Sequence, residues 1–391
     1  MIKIKMYKAN EGDAFLVSFN NYDINILIDM GLESTYQNSI KKDLLKLKSK
    51  GKKIDLLIIT HIDNDHVTGA VNFIKENGVG RSIIDVDEIW HNSYRHLQFN
   101  KLKEKISKEE TSALETIKKQ NKQFSKNDGL SDIGVEEGVT LASLLYQYKY
   151  NWNTSFNNNA VSTENGNEIN LKGIKFILLS PNRLKLERLA KVWLAKLESI
   201  FYDFKISDDK IFDDAFELFM QNQSDNDIAE FNDISSTEVF NLYELAKIEE
   251  KENSATNGSS IAFIMEHDEK KLLFLADAHE NIIYENLKNL KDNHYNMNFE
   301  AVKISHHGSN KNISKRLLQL FDSKRFLISS DGKKNNHPDL ESIAKIVLKE
   351  SKNKKELYFN YDNIRLNFFK DPSLKKVHKY NMKFSCNITI N

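Results

Sequence analysis

Apolar and polar positions alternate at the start of the chain. Ile2, Ile4 and Met6 are separated by lysines, and this period of two predicts a strand. Residues 14–19 and 24–28 predict two more strands, the second running into Asp29-Met30-Gly31. Residues 54–60 (IDLLIIT) are almost wholly apolar over a strand's length, the pattern of a strand buried on both faces. That run leads directly into His61. Further strands are predicted at 87–90, 171–180, 260–265, 271–276, 301–305, 326–330, 356–360, 363–369 and 383–390. Helical patterns lie between them, at 44–48, from after Ala70 to about 78, and at 100–125, 210–222, 236–250 and 339–350. Over 182–204 the apolar residues Leu189, Val192, Trp193, Leu197, Ile200, Phe201 and Phe204 recur at helical spacing and mark one buried stripe. Residues 155–170, rich in Asn and Ser, predict a loop. The sum is a mixed α/β chain with strands towards both ends and helical insertions in its middle.

Composition narrows the function classes. The 391 residues carry 56 Lys plus Arg against 56 Asp plus Glu, so no global positive charge is present to hold nucleic acid or an acidic membrane. A hydrophobic fraction of 40% with 10% aromatics supplies a core. One cysteine, Cys386, excludes a disulfide scaffold and a cysteine-rich zinc module. The first residues lack the apolar run of a signal peptide, and no apolar stretch reaches the length of a membrane span, so a cytoplasmic protein without membrane contact is expected. The expected organisation is a single domain over 1–391, with helical insertions within about 95–165 and 182–250.

The candidate chemistry is concentrated in Thr60-His61-Ile62-Asp63-Asn64-Asp65-His66, where His61, Asp63, Asp65 and His66 place four potential metal ligands in six residues. Imidazole and carboxylate suit zinc, manganese or iron. In an extended or loop segment, His61 and Asp63 face one side while Asp65 and His66 turn towards a neighbouring point. One loop then serves two metals, preorganised by the rigid strand before it. Asp277 ends an apolar strand, and His306-His307-Gly308-Ser309 ends another, with His337-Pro338 downstream.

The HxDxDH run resembles the HxHxDH signature of the metallo-β-lactamase superfamily. Glu11-Gly12-Asp13-Ala14, 26–31 (ILIDMG), 272–277 (LLFLAD) and 302–309 (VKISHHGS) resemble later and earlier stations of that family in its order. The HHGS form, His337-Pro338 and 257–261 (NGSSI) are similar to the hydrolase domain of ComEC-type DNA-uptake proteins. The resemblance covers roughly 1–90, 170–180 and 256–340. It implies a four-layer αββα sandwich and a metal-dependent hydrolase, a phosphodiesterase or nuclease using a metal-bound hydroxide. It implies two divalent ions, Zn or Mn, with His61, Asp63 and Asp277 on one and Asp65, His66, Asp277 and His306 on the other. Asp65 and His307 are the implied catalytic residues, and Ser309 and His337 the implied substrate contacts. The substrate implied is a phosphodiester or nucleic acid, which Lys333-Lys334 and the lysines of 352–355 could guide locally. The channel that accompanies ComEC is missing, so DNA uptake is not implied.

Departures from the pattern are Asp63 in place of histidine, which favours harder metals, and Ala276 in place of glycine, expected to be mild. The family's middle histidine is absent, with Asn257 or a neighbour in its region. Two other readings stay open: an ester or lactone hydrolase on the same fold, or a non-catalytic component of a multi-protein defence complex that docks a protein partner through the insertions.

Overall fold

The computed structural model describes residues 1–98, 105–124, 139–223, 241–333 and 335–391. Its strands are β1 (Ile2–Met6), β2 (Phe15–Phe19), β3 (Ile24–Ile28), β4 (Leu56–Ile58), β5 (Ile89–Trp90), β6 (Glu168–Leu171), β7 (Ile174–Ser180), β8 (Ala262–His267), β9 (Lys270–Phe274), β10 (Asn298–Phe299), β11 (Ala301–Lys303), β12 (Asp322–Ser323), β13 (Arg325–Ile328), β14 (Lys355–Phe359), β15 (Tyr380–Phe384) and β16 (Asn387–Ile390). Among the described residues they form a six-stranded sheet, β16-β1-β2-β3-β4-β5, and an eight-stranded sheet, β15-β14-β13-β11-β9-β8-β7-β6, with β10 and β12 as a small pair. The C-terminal strand closes the N-terminal sheet: β16 pairs antiparallel with β1, placing Ile390 opposite Ile2.

Strand alternation sorts the side chains into layers. Val17, Ile26, Leu56 and Ile58 from the first sheet meet Phe263, Leu272 and Phe274 from the second in one inter-sheet core. Their sequence neighbours point the other way. Leu16, Leu27 and Leu57 pack outward with Leu44, Val67 and Phe73 of the covering helices. Ile264 and Leu273 pack outward with Ile283, Leu287 and Ile343. The result is a mixed α/β sandwich of four layers, helices outside and two sheets inside.

A fourth core belongs to the inserted helices Lys108–Phe124, Arg183–Glu198 and Lys210–Gln223. It contains Leu114, Leu189, Trp193, Phe212 and Phe216, and also Ile62 from the loop after β4. No helix among the described residues is long and apolar enough to cross a membrane.

Three segments depart from the sequence expectation. The helix expected to follow Ala70 begins earlier, at Asn64, so Asp65 and His66 lie in its first turn rather than in a loop. Residues Ile364–Lys370 form a 3-10 helix instead of a strand. Asn363 caps it by accepting from the Arg365 N–H, and Leu366 and Phe369 are buried at a spacing of three. The expected strand at 383–390 is two strands in different sheets, β15 and β16, broken at Ser385-Cys386. The helix expected at 236–250 is described only as one turn, Leu242–Leu245; 236–240, the start of the helix expected at 100–125, and Lys334 lie outside the described residues.

Candidate metal centre

Parallel pairing brings several strand ends to one edge of the sandwich. β3 and β4 run parallel in the first sheet, and β9, β11 and β13 run parallel in the second. Their C-terminal ends therefore deliver Asp29, Thr60-His61, Asp277 and His306-His307 to the same side. The helix that opens at Asn64 then presents Asp65 and His66 from its first turn, where a carboxylate is favoured by the helix dipole. The turn before β2 closes in from above. A Cβ on Gly12 would lie 1.9 Å from the Asp65 carbonyl oxygen, so only glycine permits this approach.

Asp277 Oδ2 is the common neighbour. It lies 3.3 Å from His307 Nε2, 3.5 Å from His66 Nε2, and 3.9 Å from both His61 Nε2 and His306 Nε2. Asp63 Oδ2 is 3.5 Å from His61 Nε2. Asp65 Oδ2 is 3.8 Å from His66 Nε2 and 3.5 Å from His307 Nε2. All six residues expected as ligands thus converge, and His307 joins them. The two adjacent histidines divide differently from the expectation. His307, not His306, shares the Asp65–His66 side, whereas His306 turns towards Glu252, 3.4 Å from its Nδ1, and is the more exposed of the pair.

The outer nitrogens decide the tautomers. His66 Nδ1 is 2.9 Å from the Asp29 carboxylate, and His307 Nδ1 is 3.1 Å from the Ser329 carbonyl, so each must donate. Thr60 Oγ1 donates to Asp29 at 2.8 Å, which leaves its oxygen to accept from His61 Nδ1 at 3.0 Å. Asn312 donates its amide hydrogens to the Asp277 and Ala278 carbonyls, so its Oδ1 accepts from His306 Nδ1 at 2.9 Å. All four imidazoles therefore turn a lone pair on Nε2 towards Asp277. Nε2 of His61, His66 and His307, together with Asp63 Oδ1 and Asp13 Oδ1, are buried without a hydrogen-bond partner. Converging, unpaired lone pairs and carboxylates at loop ends are the donor set that a divalent cation fits.

Electrostatics agree. Burial alone would raise the Asp277 carboxyl, but His307, His66 and Lys303 reverse this and hold it well below the usual range. Burial pushes His307 down, yet Asp277 and Asp13 bring it up to about 10. The His307 imidazole becomes an avid base here because the Asp277 and Asp13 carboxylates beside it favour its positive form.

Three residues escaped the sequence reading of the site. Asp13 lies 3.4 Å from His307 Nδ1, and oxygen or nitrogen atoms of Asp13, His66, Asp277 and His307 all fall within 4.8 Å of one another. Lys303 is 1% exposed and bridges Asp13 and Asp277 beneath them. Glu252 is held well below its ordinary range: burial would raise it, but His306 and the Ser254 N–H lower it further. Asp13 had a signal, the Gly-Asp-Ala turn; Lys303 had only its position inside an apolar strand, and Glu252 had none. Ser309 is buried at 1% exposure, its N–H donating to the His306 carbonyl. His337 packs its ring 5.3 Å from His306, with Nδ1 3.2 Å from Asp339 Oδ1. Lys355 is buried and donates to the Val347 and Lys349 carbonyls, so it is no part of a surface cation cluster, whereas the Lys333 side chain is exposed. Ala276 adopts φ 45°, a left-handed conformation, so its replacement of glycine is strained rather than mild.

Residues 9–146 match the family model described as Metallo-beta-lactamase superfamily. The matched stretch holds Asp13, Asp29, His61, Asp63, Asp65 and His66. No curated protein matches the chain. Among solved structures it is similar to a mutant of the CmlA beta-hydroxylase, with 10% identity and a TM-score of 0.38, covering 99% of this chain and 53% of that one. It is similar also to CmlA, a diiron beta-hydroxylase from Streptomyces venezuelae, with 9% identity and a TM-score of 0.36, covering 99% and 54%. A HARLDQ-motif mutant of a metallo-beta-lactamase from Cronobacter sakazakii gives 16% identity and a TM-score of 0.21, covering 44% and 49%. The chain spans about half the length of each of these structures.

Proposed function

We propose that this protein is a metal-dependent phosphodiesterase acting on nucleic acid or a smaller phosphodiester. One observation carries the reading: four Nε2 atoms, each freed by an acceptor on Nδ1, surround a shared Asp277 carboxylate oxygen. His61, Asp63 and Asp277 would hold one divalent cation, zinc or manganese; Asp65, His66, His307 and Asp277 would hold a second. Such cations supply Lewis acidity at a phosphoryl oxygen and lower the pKa of a water towards about 7.

The chain's own residues do the rest. Asp65, at the helix start, accepts a hydrogen bond from the attacking water and fixes its direction. His306, the more exposed of the paired histidines, would contact a non-bridging phosphate oxygen once its Nε2 is protonated. Asp339 accepts the Nδ1 proton of His337 and would stabilise its imidazolium, from whose Nε2 a proton passes to the departing oxygen, leaving the neutral ring. The preference for a phosphodiester rests on the HHGS, His337-Pro338 and Asn257 resemblance to ComEC-type hydrolase domains.

The test is a panel of single- and double-stranded oligonucleotides, bis(p-nitrophenyl) phosphate, carboxyl esters and a lactone, each with Mn or Zn. Phosphodiester cleavage that needs added metal and falls at least about a hundredfold in Asp65→Asn and His66→Ala is the expected result. Turnover of the ester or lactone alone would identify the other hydrolase class. Failure to take up metal would overturn both.

A further inference from the structure

Resting on the metal-dependent reading above, the geometry points to Asn257 as an oxygen donor to the cation on the His61–Asp63 side. Asn257 sits in the turn Ala255–Gly258, just before β8. The turn reaches both flanks of the centre. Thr256 Oγ1 donates to Asp63 Oδ2 at 3.4 Å on one flank. Asn257 Nδ2 donates to Glu252 Oε2 at 3.3 Å, and that oxygen lies 3.4 Å from His306 Nδ1 on the other. The amide is therefore bracketed between Asp63 and His306.

A carboxylate only accepts hydrogen bonds, so the Glu252 contact fixes which end of the amide is nitrogen. The other end, Oδ1, is buried in a residue 6% exposed and accepts no hydrogen bond. A buried carbonyl left unpaired is costly, and folded proteins keep few of them. Asp63 Oδ1 and His61 Nε2 share this condition. The Thr256 contact sets the turn beside Asp63, and one cation there would satisfy all three unpaired acceptors together.

The consequence is an asymmetric pair of sites. His61, Asp63, Asp277 and Asn257 offer one nitrogen and three oxygens; Asp65, His66, His307 and Asp277 offer two of each. Oxygen-rich sets suit harder ions. The first flank should prefer manganese or magnesium, while the second retains zinc.

Metal-free protein is titrated with Mn and Zn, and bound metal is measured by elemental analysis after gel filtration. Wild type should bind two ions. Asn257→Ala should weaken the Mn event at least about tenfold and leave the Zn event unchanged. Asn257→Asp is the decisive partner. It loses the Nδ2 bond to Glu252 as Ala does, yet keeps an oxygen at the same place. A donor role predicts that Asp retains Mn binding; a purely structural role predicts that both variants lose it. Far-UV circular dichroism checks folding of each. Two ions bound with unchanged affinity in Asn257→Ala overturn the donor assignment and leave the phosphodiesterase reading intact. Wild type that binds no metal overturns both.

Discussion

At the scale of single residues, strain and unpaired atoms gather where the proposed ligands are. Asp29, Ala276, His306 and His307 all have positive φ, between 45° and 54°, although none is glycine. The fold over-determines them. Asp29 is held by Thr60 and His66, and the Ala276 carbonyl accepts from both His306 N–H at 2.9 Å and Lys303 Nζ at 3.2 Å. Ala276 gains nothing from its methyl group that explains this conformation. Ala276→Gly should therefore stabilise the protein by about 1 kcal/mol, because the relieved left-handed strain outweighs the added freedom of the unfolded chain. Denaturant midpoints at constant slope measure this; a lower midpoint would show that the alanine is unstrained in its setting. The same residues show what a sequence can reveal. His61, Asp63, Asp65 and His66 are legible because they are contiguous and follow an apolar strand. Glu252 and Lys303 are not, since each acquires meaning only from what it touches: His306 in one case, Asp13 and Asp277 in the other.

At the scale of elements, the inserted helices are fastened to the loop that carries the proposed ligands. Ile62 lies between two proposed ligands, yet its side chain belongs to the core of the insertion, with Leu114, Trp193 and Phe216. Asn64 reaches the same helices, its Nδ2 donating to the Gln221 carbonyl at 3.3 Å. Arg188 does likewise for the loop before Asn257, donating to the Asn253 carbonyl at 2.7 Å. The insertion thus sets the position of the loops that carry His61, Asp63 and Asn257. Ile62→Ala should cost about 2–4 kcal/mol, as truncations of buried isoleucine do, and should also lower retention of metal during gel filtration. Leu114→Ala removes a comparable side chain from the same core without touching the loop. It should cost a similar amount and leave metal retention unchanged. Equal metal loss in both would reduce the anchor to general stability. Strand patterns were legible here because β4 and β9 are buried on both faces. The start of the Asn64–Asn77 helix was not, because its first turn opens on Asn64, Asp65 and His66 rather than on apolar residues. The 3-10 helix Ile364–Lys370 was misread because Ile364, apolar by type, is 80% exposed, so the apolar run does not mark a buried face.

At the scale of the whole molecule, the centre joins the two sheets. His61 and His66 follow β4 of the first sheet, and Asp277 and His307 follow β9 and β11 of the second. The inter-sheet core, the buried Lys303–Asp13 ion pair and hydrogen bonds such as Ser329 Oγ to the Gly12 carbonyl and Ile261 N–H to the Thr60 carbonyl also hold this edge closed. A cation between them replaces the protons that His66 and His307 would take up, both raised by Asp277 after burial has pushed them down, with Asp65 the larger influence on His66. Binding confined to the folded state stabilises it by about 2.7 kcal/mol at a hundredfold excess over the dissociation constant. Added Mn or Zn should therefore raise the thermal midpoint by several degrees, and chelation should reverse the rise. Asp277→Asn keeps the shape of the side chain but removes the shared anion, and its midpoint should no longer respond to metal. If the midpoint of that variant still climbed as in wild type, the cation would sit elsewhere on the surface. The two sheets would then meet at this edge through packing, the Lys303–Asp13 pair and hydrogen bonds without a cation, and the convergence of four imidazoles on Asp277 would have lost its physical cause.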